Sequence, residues 1–551
     1  MIALAFAALL AVPQAGSMGA IQFPVTGSPE CQRAFTEGML ALHSFMYDRA
    51  HLRFQAAVKA DPTCAMARWG DAMAYSHPIW GEENVPAAKA ALQAAFGEEK
   101  LTPKERAFLG AARDLWGDGD DAARKQAWLK AAGRMHRDFP GDDEATLEYA
   151  LALISSSDRL TNVHRLMEAA ALSMEVLQRN PNHPGAAHYL IHACDTPDHA
   201  ILALPAARRY AQIAPAASHA LHMPAHIFVQ LGMYPEVAAS NEASWAASQT
   251  EGRELGKGPD QRDWHSYSWL VDSYLNLGQV QRAEKMVRAL REMLVKDDGP
   301  ETRFGYALVL ETWLNNTGRW SQLDELAAPL ARPLPLEKGE PEGSLGCASH
   351  APGGSAARPP WGLIAGVLHA ELQGQGAMMA GDEAKVRRAR EPVAALLAAM
   401  APWGKGNFYQ SLQAREEKLW PALAAAARAS KAPAGVEAVE AFRQLAAGPE
   451  FLAGGPAFTA PAQQLLGDAL LAAGRPGEAR AAYDQSLALH PSLSRSLLGA
   501  ARAAKAGGDA ATARDRYAAL AKLWQRADAA LPGLEEARLA LELSAAAQPR
   551  R

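Results

Sequence analysis

Along most of the chain apolar side chains recur at helical spacing, while runs of β-branched residues, the mark of strands, are scarce. Alanine fills every region and raises helix propensity at positions that packing does not decide. The pattern predicts helices over 218–231, 236–248, 264–277 and 281–295. Thr102-Pro103-Lys104-Glu105 writes out a helix start: a capping hydroxyl, proline at the first helical position, and a glutamate three residues after the cap. Past the first dozen residues no apolar run approaches the ~18 residues that a membrane span requires. The chain reads as all-α.

A longer period is superimposed on the helical one. Ala479 and Ala513 are 34 apart, as are Tyr483 and Tyr517, and Pro181 and Pro215. Near the other end Gly38, Ala41, Ala50, Phe54 and Pro62 fall at offsets 8, 11, 20, 24 and 32 of the same period. Small residues at the first and third of these positions let two antiparallel helices touch. An aromatic at 24 fills the wedge to the next unit, and proline ends the second helix by withholding an amide donor. This ladder resembles the tetratricopeptide repeat (TPR) family. The resemblance implies a TPR-like α-solenoid of antiparallel helix pairs, with the first helix of each pair lining a concave groove.

At 551 residues the chain is too long for one core. The segment 328–360, rich in Pro, Gly and Ser and without apolar period, predicts a linker between helical regions at 21–327 and 361–551. The clearest C-terminal repeats lie at about 461–525. A net charge of −5 gives no basic face for nucleic acid. Residues 1–20 carry a short apolar run followed by small residues, the form of a secretory signal peptide, although no Lys or Arg precedes the run. The expectation is a periplasmic or secreted, bacterial-type protein. Cys31 and Cys64, 33 residues apart, form a disulfide only if their helices bring the two Cα atoms within ~7 Å.

Candidate chemistry concentrates in the histidines. Seven of the 16 lie between His183 and His226. His188 and His192 share one helix face, as do His222 and His226, and the second pair repeats the first after 34 residues. In the repeat register these are positions 5 and 9. The family resemblance places positions 2, 5, 9, 12 and 13 of the first helix in the groove. It therefore implies a common concave surface for His188, His192, His222 and His226, joined by His265, His43 and Asp272. Neutral imidazoles with a nearby carboxylate suit a transition metal such as Zn, Fe or Cu. Asp195, Tyr267 and Asp272 are the candidate catalytic groups, and Tyr189 and Ser218 are candidate partners for the far ring nitrogens. Neither HxxxH carries the glutamate of a zinc peptidase, and no phosphate-loop, dinucleotide or serine-hydrolase motif stands in a supporting context.

Two functions follow. One is a metal site that oxidises or hydrolyses a small molecule or peptide; the other is a metal-free groove that binds peptides or partner proteins. The His188/His192 cluster separates them, because only the first needs its nitrogens to converge.

Overall fold

Gly38 and Gly467, at predicted small positions, set the helix spacing together with Gly70 and Gly499, which the repeat pattern does not single out. A Cβ placed on Gly38 or Gly70 would meet the Phe54 ring at 2.7 and 2.3 Å, so one aromatic wedges against two successive hairpins. Gly467 and Gly499 hold Tyr483 in the same way, at 2.8 and 2.4 Å. In this computed structural model the described residues are 17–79, 82–93, 100–157, 162–332, 360–401, 407–429, 436–448, 455–457 and 459–546. They form an all-α stack of antiparallel helix pairs, apart from a two-residue ribbon pairing Ser76–His77 with Glu82–Glu83. The capping box at Thr102 is present, with Thr102 accepting from the Glu105 amide and Glu105 from the Thr102 amide.

The chain divides into two compact units, Met1–Ala193 with Pro205–Pro224, and Cys194–Leu204 with Ala225–Arg551. This division falls inside the histidine-rich stretch and not at 328–360. Of the predicted linker, Ala328–Ala331 form a short 3-10 turn, and 333–359 lie outside the described residues. Residues 1–16 of the predicted leader also lie outside them. Ser17 and Ala20, by contrast, belong to the first unit: the Ser17 carbonyl accepts from the Ala216 amide, and the Ala20 amide donates to the Asn182 carbonyl. Among the described residues no helix is long and apolar enough to cross a membrane.

In the first unit, helices run Pro29–His43, Tyr47–Ala60, Ala65–Met73, Val85–Gln93, Pro103–Leu115, Asp121–Asp138, Asp143–Ser155, Val163–Arg179 and Pro184–Ala193. Successive helices pack on one another, except that Val85–Gln93 and Pro103–Leu115 both pack on Ala65–Met73, and Pro184–Ala193 also reaches back to Pro29–His43. Cys31 and Cys64 are buried free thiols, and both sulfurs lie within 3.3 Å of where a Cβ on Gly27 would stand.

In the second unit the predicted C-terminal repeats appear as Ala462–Ala472, Pro476–Leu489, Ser494–Ala506 and Ala510–Leu523. The unit closes on itself. Asn276, ending the helix Trp264–Asn276, accepts from the Ser494 amide 218 residues on and from the Trp524 indole 248 residues on. Together with Asn407–Ala429 and Val436–Ala446 these helices line an open cavity of about 1180 Å³, where Leu419, Leu423, Phe442, Trp524, Arg495 and Arg502 are among the lining residues.

Candidate metal centre

His188 and His192 stand one turn apart on the helix Pro184–Ala193, whose residues are all buried. Proline begins that helix where its missing amide costs nothing. The third imidazole of the group is His219, on the short helix Ser218–His222. The His188 Nε2 lies 3.0 Å from His192 Nε2 and 3.1 Å from His219 Nε2. The three rings are 0%, 3% and 1% exposed, so this is an interior cluster and not a solvated face.

Proton bookkeeping assigns the role of His188. Its Nδ1 lies 2.7 Å from the His43 carbonyl oxygen, which can only accept, so Nδ1 carries the hydrogen. Its Nε2 is then a lone pair, aimed at the other two nitrogens. Ligands held ~2.0–2.2 Å from one ion lie about 2.8–3.6 Å from each other for angles of 90–109°, and the two spacings from His188 fall in that range.

A second group shows the opposite logic. Glu144, wholly buried on the helix Asp143–Ser155, receives His43 Nε2 at 2.9 Å and His183 Nε2 at 3.3 Å. The His183 Nδ1 accepts the Ala186 amide, so its Nε2 is the protonated nitrogen and donates to Glu144. Tyr189 lies 3.0 Å from His43 Nδ1 and donates to it, which leaves the His43 Nε2 hydrogen for Glu144. Burial opposes ionisation of Glu144, yet attraction to His43 and the hydrogen bonds from both imidazoles hold its pKa well below the usual carboxylate range. Burial pushes the Tyr189 phenol far up, and the carboxylates of Glu148 and Glu144 add to that push, so it keeps its hydrogen. His43, Glu144 and His183 have the residue types of a two-histidine, one-carboxylate site. Their hydrogen bonds instead close among themselves and hold the His43 carbonyl against His188. Glu148, one turn beyond Glu144, is pushed up to about 7 by burial, against the opposing Trp128 hydrogen bond at 2.8 Å.

The structure gathers only part of the predicted set. His188 and His192 converge, with His219 as their partner. His222 stays outside the nitrogen triangle, its ring centre 6.1 Å from that of His219. The reason is geometric: equal register positions on neighbouring helices are separated by a full axis spacing of ~8–10 Å. The side chain that closes the gap comes from one turn back. His219 occupies register position 2, itself a groove position, so the signal was present. His43 contributes its carbonyl to His188 and its ring to Glu144. Gly185, at position 2 of the preceding repeat, leaves room for that ring; a Cβ there would lie 2.4 Å from His43 Nδ1.

The remaining candidates belong to the second unit. His226 Nδ1 lies 2.8 Å from Asp195, which also accepts from Gln230 at 3.1 Å. The His226 and His265 ring centres are 6.2 Å apart, both against Trp269. Burial, with repulsion from His226, lowers His265 to about 3. Tyr267 donates to the Met286 carbonyl at 2.8 Å, and burial raises its phenol well above the ordinary value. Asp272 is fully buried, accepts from Asn276 at 3.1 Å, and is raised to about 7 by burial.

Comparison with known proteins adds little at this level. No family model matches the chain, and no curated protein does. Among solved structures, the human IFIT1 dimer with m7Gppp-AAAA aligns over 89% of this chain and 90% of its own, at 12% identity and a TM-score of 0.36. Yeast Tom70 aligns over 77% and 92% at 11% identity and 0.27. The TPR domain of P58(IPK) aligns over 94% and 99% at 14% identity and 0.18. At those scores no ligand or partner carries over.

Proposed function

We propose that this is an exported helical-repeat protein whose first unit holds one transition-metal ion on the Nε2 atoms of His188, His192 and His219. The observation that carries the reading is the His188 Nδ1 hydrogen bond to the His43 carbonyl, which turns a lone pair toward two further imidazole nitrogens. The carbonyl and the Glu144 network behind it act as an orienting shell. Behind that shell a cavity of about 30 Å³, with room for about one water-sized molecule, is lined by His43, Glu144, Glu148 and Tyr189 and not by the three ligands themselves.

Metal analysis of untagged protein tests the reading. One equivalent of ion per chain is expected, lost in a His188→Ala/His219→Ala variant. Unchanged metal content in that variant would remove its support.

A second reading, a scaffold for partner proteins, draws on the large cavity of the second unit, whose apolar floor and guanidinium groups suit an amphipathic segment. Capture of a partner that survives metal chelation and is lost in Arg495→Glu/Arg502→Glu supports it.

A further inference from the structure

We propose that Cys31 and Cys64 are the two halves of a disulfide bond, formed as the first hairpin folds and then sealed beneath the segment that precedes it. The pair stands apart from the metal reading and shares none of its residues. Cys31 lies in the first turn of Pro29–His43, and Cys64 is the residue before Ala65–Met73. A bond between them ties the start of one helix to the start of another and encloses the hairpin Pro29–His43/Tyr47–Ala60 between. Both side chains are wholly buried. A Cβ on Gly27 would lie 3.2 Å from the Cys64 sulfur and 3.3 Å from the Cys31 sulfur, so the two sulfurs flank one point of the chain. They are also hydrogen-bonded to each other. Bringing them from that contact to the ~2.05 Å of a disulfide is a movement of side-chain size.

Hydrogen bonds fix the backbone beside each cysteine. The Asp61 carboxylate accepts the Ser28 amide at 2.7 Å and the Thr63 amide at 3.0 Å. Ser28 in turn caps the first helix by accepting the Cys31 amide at 3.2 Å, and the Asp61 carbonyl accepts the Cys64 amide at 3.1 Å. One aspartate therefore sets the approach of both cysteines. On the other side of Gly27, Thr26 donates its amide and its hydroxyl to Glu105 at 2.6 and 2.9 Å. The Phe23 ring packs against Phe35, Trp69 and Phe108. The stretch Phe23–Ser28 is thus pinned on both sides of the glycine that covers the sulfurs, and it keeps a reductant from a bond beneath it.

The two thiols are not equivalent. Their hydrogen bond, donated by Cys31 to the Cys64 sulfur, lowers the Cys64 pKa and, together with burial, raises that of Cys31. In the exchange, the Cys64 thiolate attacks one sulfur of an oxidant that is itself a disulfide, and the other sulfur leaves as a thiolate. Cys31 then gives up its proton and attacks the Cys64 sulfur of the mixed disulfide, releasing the second thiolate. Two protons and two electrons leave the cysteines, and the oxidant becomes two thiols. Both attacks need access, so the bond forms before Phe23–Ser28 closes over the pair.

The test uses the full-length chain, denatured and reduced, then refolded in a buffer of reduced and oxidised glutathione. The chain has four cysteines, and free thiols are counted by alkylation in denaturant. The expected count falls by two, and non-reducing peptide mapping finds the peptides of Cys31 and Cys64 joined. Oxidised wild type should melt about 10 °C above the reduced form, the size expected for closing a loop of this length. Cys31→Ala/Cys64→Ala should lose that difference between the two buffers. The wild-type comparison needs no variant, so it decides even where the double substitution does not fold. Dithiothreitol should reduce the bond far more slowly in the folded protein than in denaturant. A folded wild type that keeps all four thiols, or that joins Cys31 or Cys64 to another cysteine, overturns the pairing. Equal melting of oxidised and reduced wild type overturns its role as a staple, and equal rates of reduction overturn the cover by Phe23–Ser28.

Discussion

Each unit buries a cluster of ionisable side chains, and the two clusters settle their charge in opposite ways. In the first, Glu144 is surrounded by N–H donors and ionises despite complete burial. In the second, Glu311, Glu371 and Glu416, from the helices Pro300–Thr317, Trp361–Met379 and Asn407–Ala429, crowd one guanidinium, Arg415, which pairs with Glu371 at 3.0 Å. Burial, then repulsion from Glu371, raises Glu311 to about 8 and lifts Glu416 well above its ordinary value. Gln375 and Trp420 donate to these two carboxyls at 2.9 and 2.7 Å. Depth alone therefore does not decide whether a carboxyl is charged; the ratio of donors to acids around it does.

The sharpest way to break this comparison is to make the same substitution in both clusters. Glu144→Gln removes a charge that two imidazoles depend on and turns an amide N–H toward their donors, so urea denaturation should show a loss of about 3 kcal/mol. Glu311→Gln replaces a group that already carries its proton near neutrality, and should change stability by less than about 1 kcal/mol. Equal losses would mean that the two carboxyls have the same charge state.

Next in size is Gly185→Ala. The added Cβ pushes on the His43 ring, costs about 1–3 kcal/mol, and should weaken metal uptake by displacing the carbonyl that orients His188. Metal content that stays at the wild-type level while stability falls would separate the ring of His43 from its carbonyl.

A pH series sharpens the comparison further. Glu148 at about 7, Asp272 at about 7 and Glu311 at about 8 hold protons in the folded state that the unfolded chain releases near pH 4–5. The native state then binds more protons than the unfolded one, so stability should fall as pH rises from about 5 to 8. Glu144, with its pKa depressed, contributes the reverse: its stabilisation is present above about pH 4.5 and is lost as pH falls. Thermal melts of metal-free protein between pH 4 and 8.5 check both limbs, and Glu311→Gln should flatten only the upper one. The smallest effect belongs to Tyr267→Phe, which loses one hydrogen bond to a carbonyl, about 1 kcal/mol, and leaves metal binding unchanged.

The helix pairs were legible in the sequence because their determinants are local: Gly38 and Phe54, or Gly467 and Tyr483, lie within one repeat. His188 and His192 were legible for the same reason, one turn apart on one face. His219 was missed because matching equal positions in successive repeats selects side chains an axis apart, whereas contact favours one turn back. Glu144 and His183 left no local trace. Glu144 meets His43 across 101 positions and His183 across 39, through the stacking of separate hairpins. The same holds for Glu311, Glu371 and Glu416, ordinary surface-type residues in sequence that become an interior cluster only when three helices meet.

The bonds from Asn276 to Ser494 and Trp524 carry a consequence for how the second unit comes apart. An open repeat array frays from its ends, losing terminal hairpins one at a time at modest cost. Here hairpins near the end of the unit are latched to one of its earlier helices, so unravelling past them must begin by undoing the latch. During synthesis the same latch closes late, after more than two hundred residues have left the ribosome since Asn276. Until then the unit's early hairpins stand without their final neighbour, the interval in which a chaperone has most to protect.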